Sequence, residues 1–228
     1  MDPLAQTVEV RVFSSDEEMN RAMQKKIEAI YAEILASAPV AEAHEAYETA
    51  KGNVARLKRA QASLTRRAQK VFDEMKEVSS AVDTTLIETH AGGTESAEVS
   101  RRLKVLSALE AEHKAVLRAN GRIVEHLLPQ AEIAELSGAA DHLRTKAHAV
   151  REAAAERIQK TAQMMAEAAE YEGGIVFDSL NTLSGELHRQ ANEFDRQAGN
   201  YNAWAREREE QYLKMVKELE SLSSIRSN

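Results

Sequence analysis

Residues 40–85, "VAEAHEAYETAKGNVARLKRAQASLTRRAQKVFDEMKEVSSAVDTT", decide how the rest of the chain is read. Alternate steps of three and four residues land on Val40, Ala43, Tyr47, Ala50, Val54, Leu57, Gln61, Leu64, Ala68, Val71, Met75, Val78, Val82 and Thr85. Only Gln61 and Thr85 on that line are polar. An apolar seam that repeats every 3.5 residues for this long predicts a helix zipped lengthwise against neighbours, as in a left-handed coiled coil. Val40, Val54, Gln61 and Ala68 take heptad position a; Leu57, Leu64 and Val71 take d.

The flanking sequence continues the pattern. Ser15 with Glu18 has the spacing of a capping box and opens a helix through Met23, Ile27, Ile30 and Ile34, which Pro39 breaks or restarts. "HAGGTES" (90–96) reads as a turn. The next run carries Val99, Leu103, Leu106, Leu109, Val116, Leu117, Ile123, Val124 and Leu127, with His113 and Asn120 in the stripe, as far as Pro129. Beyond Pro129 the stripe resumes as Ile133, Leu136, Ala140, Leu143, Ala147, Val150, Ala154 and Ile158. "YEGGIVF" (171–177) is a second turn, and the last helix follows through Leu187, Ala191, Phe194, Ala198, Tyr201, Ala205, Tyr212, Met215 and Leu219. "TVEVRVF" (7–13) alternates with period two, as a short strand does, with "GIVF" (174–177) as its one candidate partner in the chain.

Together these predict an all-α fold. Helices are expected at about 16–38, 40–89, 96–128, 130–172 and 175–223, forming one helical domain over 16–228 after an extended segment at 1–15. The expected arrangement is an elongated antiparallel coiled coil of three long helices, the middle one kinked at Pro129. The alternative is a compact four- to five-helix bundle in which Pro129 reverses the chain. Runs of similar length on either side of the Gly-Gly turn would make a hairpin roughly 110 Å long at about 1.5 Å per residue. The last helix returns over only part of that length, so a stretch of two-helix arm remains whose apolar sides ask for a second chain. A homodimer follows.

Composition agrees. Leu, Ile, Val and Phe number 47 of 228 residues, Ala alone 38, and aromatics are 4%, thin material for a compact core but adequate for helices packed side by side. Cysteine is absent, which removes disulfides, thiolate metal sites and Cys nucleophiles. No signal peptide and no run of 18 apolar residues is readable, so a soluble, cytoplasmic protein is expected. The net charge of -7 speaks against nucleic acid as a partner.

Against that acidic balance, residues 51–70 carry Lys51, Arg56, Lys58, Arg59, Arg66, Arg67 and Lys70 with no acid between them. They occupy heptad positions c, e, f and g, every side except the seam, as a solvated and ion-paired helix exterior does. The other reading is a docking strip for anionic lipid heads, each basic group worth about 1 kcal/mol near a membrane surface. Long antiparallel helices with a proline-kinked middle member are similar in outline to BAR-type dimers. That resemblance is architectural, carried by no motif, and implies binding or sensing of curved membranes.

No catalytic constellation is readable. Glu110 and His113 form the single Glu-x-x-His, where a di-iron bundle needs two, so no metal or cofactor is expected. His113 reads as a polar seam residue hydrogen-bonded to a group such as Asn120 or an opposing Gln, and His44, His126, His142, His148 and His188 read as surface residues. The Gly pairs lack phosphate-loop spacing. Trp204 lies one residue off the apolar stripe, as a packing flank or an interface anchor. The function expected is that of a non-enzymatic scaffold or protein-interaction module, a homodimer that also meets another protein. Its candidate interface residues are Val71, Met75, Val78, Val82, Leu103, Leu106 and Trp204. A BAR-like membrane module is the alternative.

Overall fold

A computed structural model describes residues 16–90, 96–168 and 173–226. The chain is all-α: among the described residues everything but the turn at Ala36 and Ser37 is helical. Helix α1 spans Asp16–Leu35, α2 Ala38–His90, α3 Ser96–Arg122, α4 Leu128–Ala168 and α5 Gly173–Arg226, and a π-helical turn, Ile123–Leu127, joins α3 to α4. The segment "TVEVRVF" lies outside the described residues. Residues 174–177 begin α5 and offer no strand to pair with, which corrects the expectation of a sheet there. Most of the first Gly-rich turn, 91–95, also lies outside; of the second, "YEGGIVF" (171–177), Tyr171 and Glu172 lie outside, while Gly173–Phe177 are the helical start of α5, which corrects the reading of a turn there.

Pro39 does not end a helix; it sits in the first turn of α2, where its missing N–H would have had no partner. The break comes earlier. The Ser37 hydroxyl donates to the Ile34 carbonyl at 2.7 Å and closes α1, while the Ser37 carbonyl accepts from the Ala41 N–H at 3.0 Å and opens α2.

Pro129 does not reverse the chain either; helix runs on through it from α3 into α4. A proline has no N–H for the carbonyl four residues back, and its ring collides with that carbonyl. The turn just before it widens instead, the Leu128 N–H reaching the Ile123 carbonyl five residues back. A π turn adds one residue to a helix. Up to Ile123 the inward line of α3 is Val99, Arg102, Leu106, Leu109, His113, Val116, Asn120 and Ile123. Further on, beyond the Lys58–Glu132 ion pair, Gly138 also faces α2: a Cβ added there would stand 3.5 Å from the Tyr47 Cα. Gly138 is fifteen residues beyond Ile123, two heptads plus the one inserted.

The residues gather into two compact units. The first holds the described residues up to Glu45 together with Ala139–Asn200. Its core is Ile30 and Ile34 of α1, Ala147, Val150 and Ala154 of α4, and Leu187 and Ala191 of α5, all nearly or fully buried. Three alanines in seven residues is why helices can approach closely here. Arg157 of α4 pairs with Glu33, and His142 stacks on His44 at 5.0 Å, so α4 runs antiparallel to the α1–α2 segment. His142 is buried, not a surface residue as its sequence context implies. Arg151 of α4 ties to Asp195 and Asn192 of α5.

On the exposed side of α5, Glu193 accepts from Arg196 at 2.6 Å and from Gln197 at 2.9 Å, which holds its carboxyl down at about 2. A depressed acid stabilises the fold fully above its unfolded value of 4.5, and loses that contribution as pH falls towards about 2. Glu193→Gln is therefore expected to give up less stability than the parent between those limits, measured by thermal melts in a pH series.

The second unit holds Ala46–Gly138 and the described residues from Tyr201 on. Every member of the seam from Tyr47 to Thr85 is buried or half-buried in it, none exposed. Phe72 packs on His113 and Arg102 reaches Ala81 and Thr85, so α2 and α3 are antiparallel. From Glu132 to His126 the partners on α5 advance from Arg208 to Tyr212, so this pair is antiparallel as well. Gly52, mid-α2, has nothing within 4 Å of an added Cβ. Gly52→Ala should raise stability by about 1 kcal/mol through helix propensity alone; denaturant melts with an unchanged m-value would show it.

Candidate interaction surface

The basic stretch is largely neutralised by its surroundings. Lys58 pairs with Glu132 of α4 at 3.3 Å and Arg67 with Glu112 of α3, so neighbouring helices supply the acids that residues 51–70 lack. Lys51 pairs with Glu48 at 2.9 Å and Lys70 with Glu74 at 3.6 Å, each one helical turn away. Arg56 donates to Asn53 at 3.3 Å and Arg66 to the Ala62 carbonyl at 3.3 Å. Arg56, Arg59 and Arg66 carry no ion pair among the described residues. All seven side chains are exposed, and surface pairs of this kind contribute about 0–1 kcal/mol each.

The candidate interface residues separate into two sets. Val71 and Val82 are fully or nearly buried and Met75, Val78 and Leu106 half-buried, spent on packing inside the second unit. Leu103 at 47% and Trp204 at 51% stay exposed, Trp204 edge-on to Tyr201 at 5.2 Å. Three residues that the seam reading did not single out as surface join them: Phe72 at 40%, Leu86 at 37% and Leu117 at 48%.

The heptad explains which residues these are. With α2 registered as above, Phe72, Ser79 and Leu86 fall at e; with Val99 at a in α3, Leu103 and Leu117 fall at e too. In an antiparallel pair the two e lines flank one side of the seam and the two g lines the other. The Arg67–Glu112 ion pair joins g to g and marks the polar flank. The opposite flank of α2 and α3 is the apolar one. The signal was present in the sequence, since α3 has a stripe wider than a and d require, but a broad stripe does not say which edge a neighbour covers.

Polar groups in the seam include one that bonds across it. Arg102, at a d position, donates to the Ala81 carbonyl at 2.8 Å and to Thr85 Oγ1 at 2.7 Å, and its Nε donates to Glu98 at 2.8 Å. The bond from Arg102, with a second from Arg101, holds the Glu98 carboxyl below its ordinary range. His113 lies on Phe72 at 5.9 Å, and Asn120 Oδ1 is buried with no hydrogen-bond partner among the described residues. Two turns of one helix separate His113 from Asn120, so the hydrogen bond read between them is out of reach.

Concave features are shallow. A groove of about 460 Å³ in the first unit lies between Tyr31 and Leu35 of α1 and Gln190 and Phe194 of α5; another, of about 560 Å³ in the second unit, is lined by Glu77, Glu98, Arg101 and Val105. Neither brings together a nucleophile and a base. No group of three metal-ligating side chains occurs among the described residues, and no helix among them is long and apolar enough to cross a membrane. No family model, curated protein or solved structure matches the chain.

Proposed function

We propose that the chain is a non-enzymatic helical interaction module that works as a homodimer. One observation supports this reading above others. Of the twelve large apolar side chains left exposed among the described residues, eleven belong to the second unit, and only Leu35 to the first. Apolar side chains scattered singly over a surface are ordinary; here four of the eleven, Phe72, Leu86, Leu103 and Leu117, share one flank of the α2–α3 pair, as on a surface built to be covered.

A subunit whose folded state is completed by a second copy melts at a temperature that rises with protein concentration. A hundredfold dilution is expected to lower the Tm by several degrees, and a Tm independent of concentration would count against the reading. The basic stretch makes a competing proposal, docking to an anionic membrane, for which Arg56, Arg59 and Arg66 are the cations without ion pairs among the described residues. Co-sedimentation with phosphatidylserine vesicles at low salt separates the two. Binding that disappears on reversing Arg59 and Arg66 to Glu would favour the membrane.

A further inference from the structure

The homodimer reading names no geometry, and the outer face of α2 supplies one. Phe72, Ser79 and Leu86 stand seven residues apart on the e line, all exposed, Ser79 midway between the two apolar side chains. On the adjoining b line, Lys76 lies three residues before Ser79 and Asp83 four after it. Both are exposed, and the Lys76 ammonium sits 4.7 Å from the centre of the Phe72 ring, which holds it on this face. The ion pairs of the second unit formed around α2, Arg67 with Glu112 and Lys58 with Glu132, do not draw on Lys76 or Asp83.

This pattern is complementary to its own reverse. Lay a second α2 antiparallel on the first with both Ser79 residues at the crossing point. Phe72 then meets Leu86 of the other copy and Leu86 meets Phe72. Lys76 falls within one residue, about 1.5 Å of rise, of the level of the other copy's Asp83. Serine, small and polar, occupies the one position where identical side chains must face each other. A two-fold interface requires this reciprocity, residue i on j and j on i. A parallel arrangement would set Phe72 on Phe72 and place the two b lines on opposite sides of the contact, so that Lys76 and Asp83 would find no partner on the other copy's b line; antiparallel pairing brings both b lines to one side. Leu103 on α3 borders the same flank and extends the apolar area beside the crossing.

We infer that a second copy of this chain docks antiparallel on the outer face of α2, with the two-fold axis at Ser79. The inference rests on the homodimer reading and adds to it a surface, a direction and a register.

The absence of cysteine makes the test direct. Under mild oxidation the full-length Ser79→Cys protein is expected to form a covalent dimer far faster than Ser80→Cys, whose thiol is displaced by about 100° around the helix. Asp83→Lys and Lys76→Asp should each weaken association about tenfold, and the double variant, with both charges exchanged, should recover it. Seven residues separate the two positions on one helix, so no contact within a chain gives that rescue. If the protein dimerises but Ser79→Cys crosslinks no faster than Ser80→Cys and the exchange does not rescue, the interface is elsewhere and this inference fails while the homodimer reading stands. A monomer at every concentration overturns both, and leaves the face to a segment of the same chain or to a different protein.

Discussion

Replacing Val71 by Asp is expected to unfold the second unit outright. Val71 has no exposed surface and lies at a d position in the middle of the α2 seam. A carboxylate there gives up its hydration with no cation or donor to replace it, and the seam cannot open locally because residues before and after it are packed in the same line. Burying an unpaired charge belongs to the small class of substitutions that cost more than about 4 kcal/mol. Urea denaturation should show most of the unit's stability gone, and hydrogen exchange should show protection lost along both α2 and α3. Val105→Asp is the matched control. Val105 is 45% exposed on the polar flank, and the same change there should stay within about 0.5 kcal/mol.

The second large effect is expected in the first unit, from Leu187→Ala. Leu187 is 1% exposed and shares its core with Ile30, Ile34 and Val150 and with three alanines, Ala147, Ala154 and Ala191. Removing a leucine from a core costs about 2–5 kcal/mol, and more where the walls cannot move inward. The three alanines have no longer rotamer with which to fill the space, and the β-branched side chains beside them are stiff, so closure would have to come largely from the helix backbones. A loss of about 3–4 kcal/mol is therefore expected, with faster exchange at the amides around Val150 and Ala191. A loss below about 1 kcal/mol would mean that α4 and α5 do not pack as described.

What could be read from sequence, and what could not, divides along a physical line. The seam from Val40 to Thr85 was legible because a 3.5-residue period held that long has one structural explanation, and every residue on it is buried or half-buried. The same holds on α5, where Leu187, Ala191, Ala198 and Ala205 are buried in step. Pro129 was not legible. A proline fixes only its own φ and removes one donor, which is compatible with a kink, a reversal or a widened turn. In the structure the turn widens, the Leu128 N–H bonding to the Ile123 carbonyl, and Gly138 comes to lie against Tyr47, neither of which a proline by itself announces. His142 was misplaced for a related reason: a polar residue on a helix reads as surface until the neighbour that covers it, here His44, is known. The charge run at 51–70 had the same difficulty. Its counter-ions, Glu112 and Glu132, lie far along the chain, and only pairing of the helices brings them near.

The apolar flank sits between these cases. Leu103 and Leu117 were visible as part of a stripe, yet whether they stood in the seam or beside it depended on the phase of α3, which Arg102 and Thr85 set through their hydrogen bond. Phe72 and Leu86 were hidden by the regularity of the seam next to them. Exposure of all four turns a folding pattern into an argument about association.

Sedimentation equilibrium of the full-length protein at micromolar concentration tests that argument most directly. A particle of twice the 25.3 kDa chain mass is the result the account requires. A single species of 25.3 kDa across the whole concentration range would contradict it.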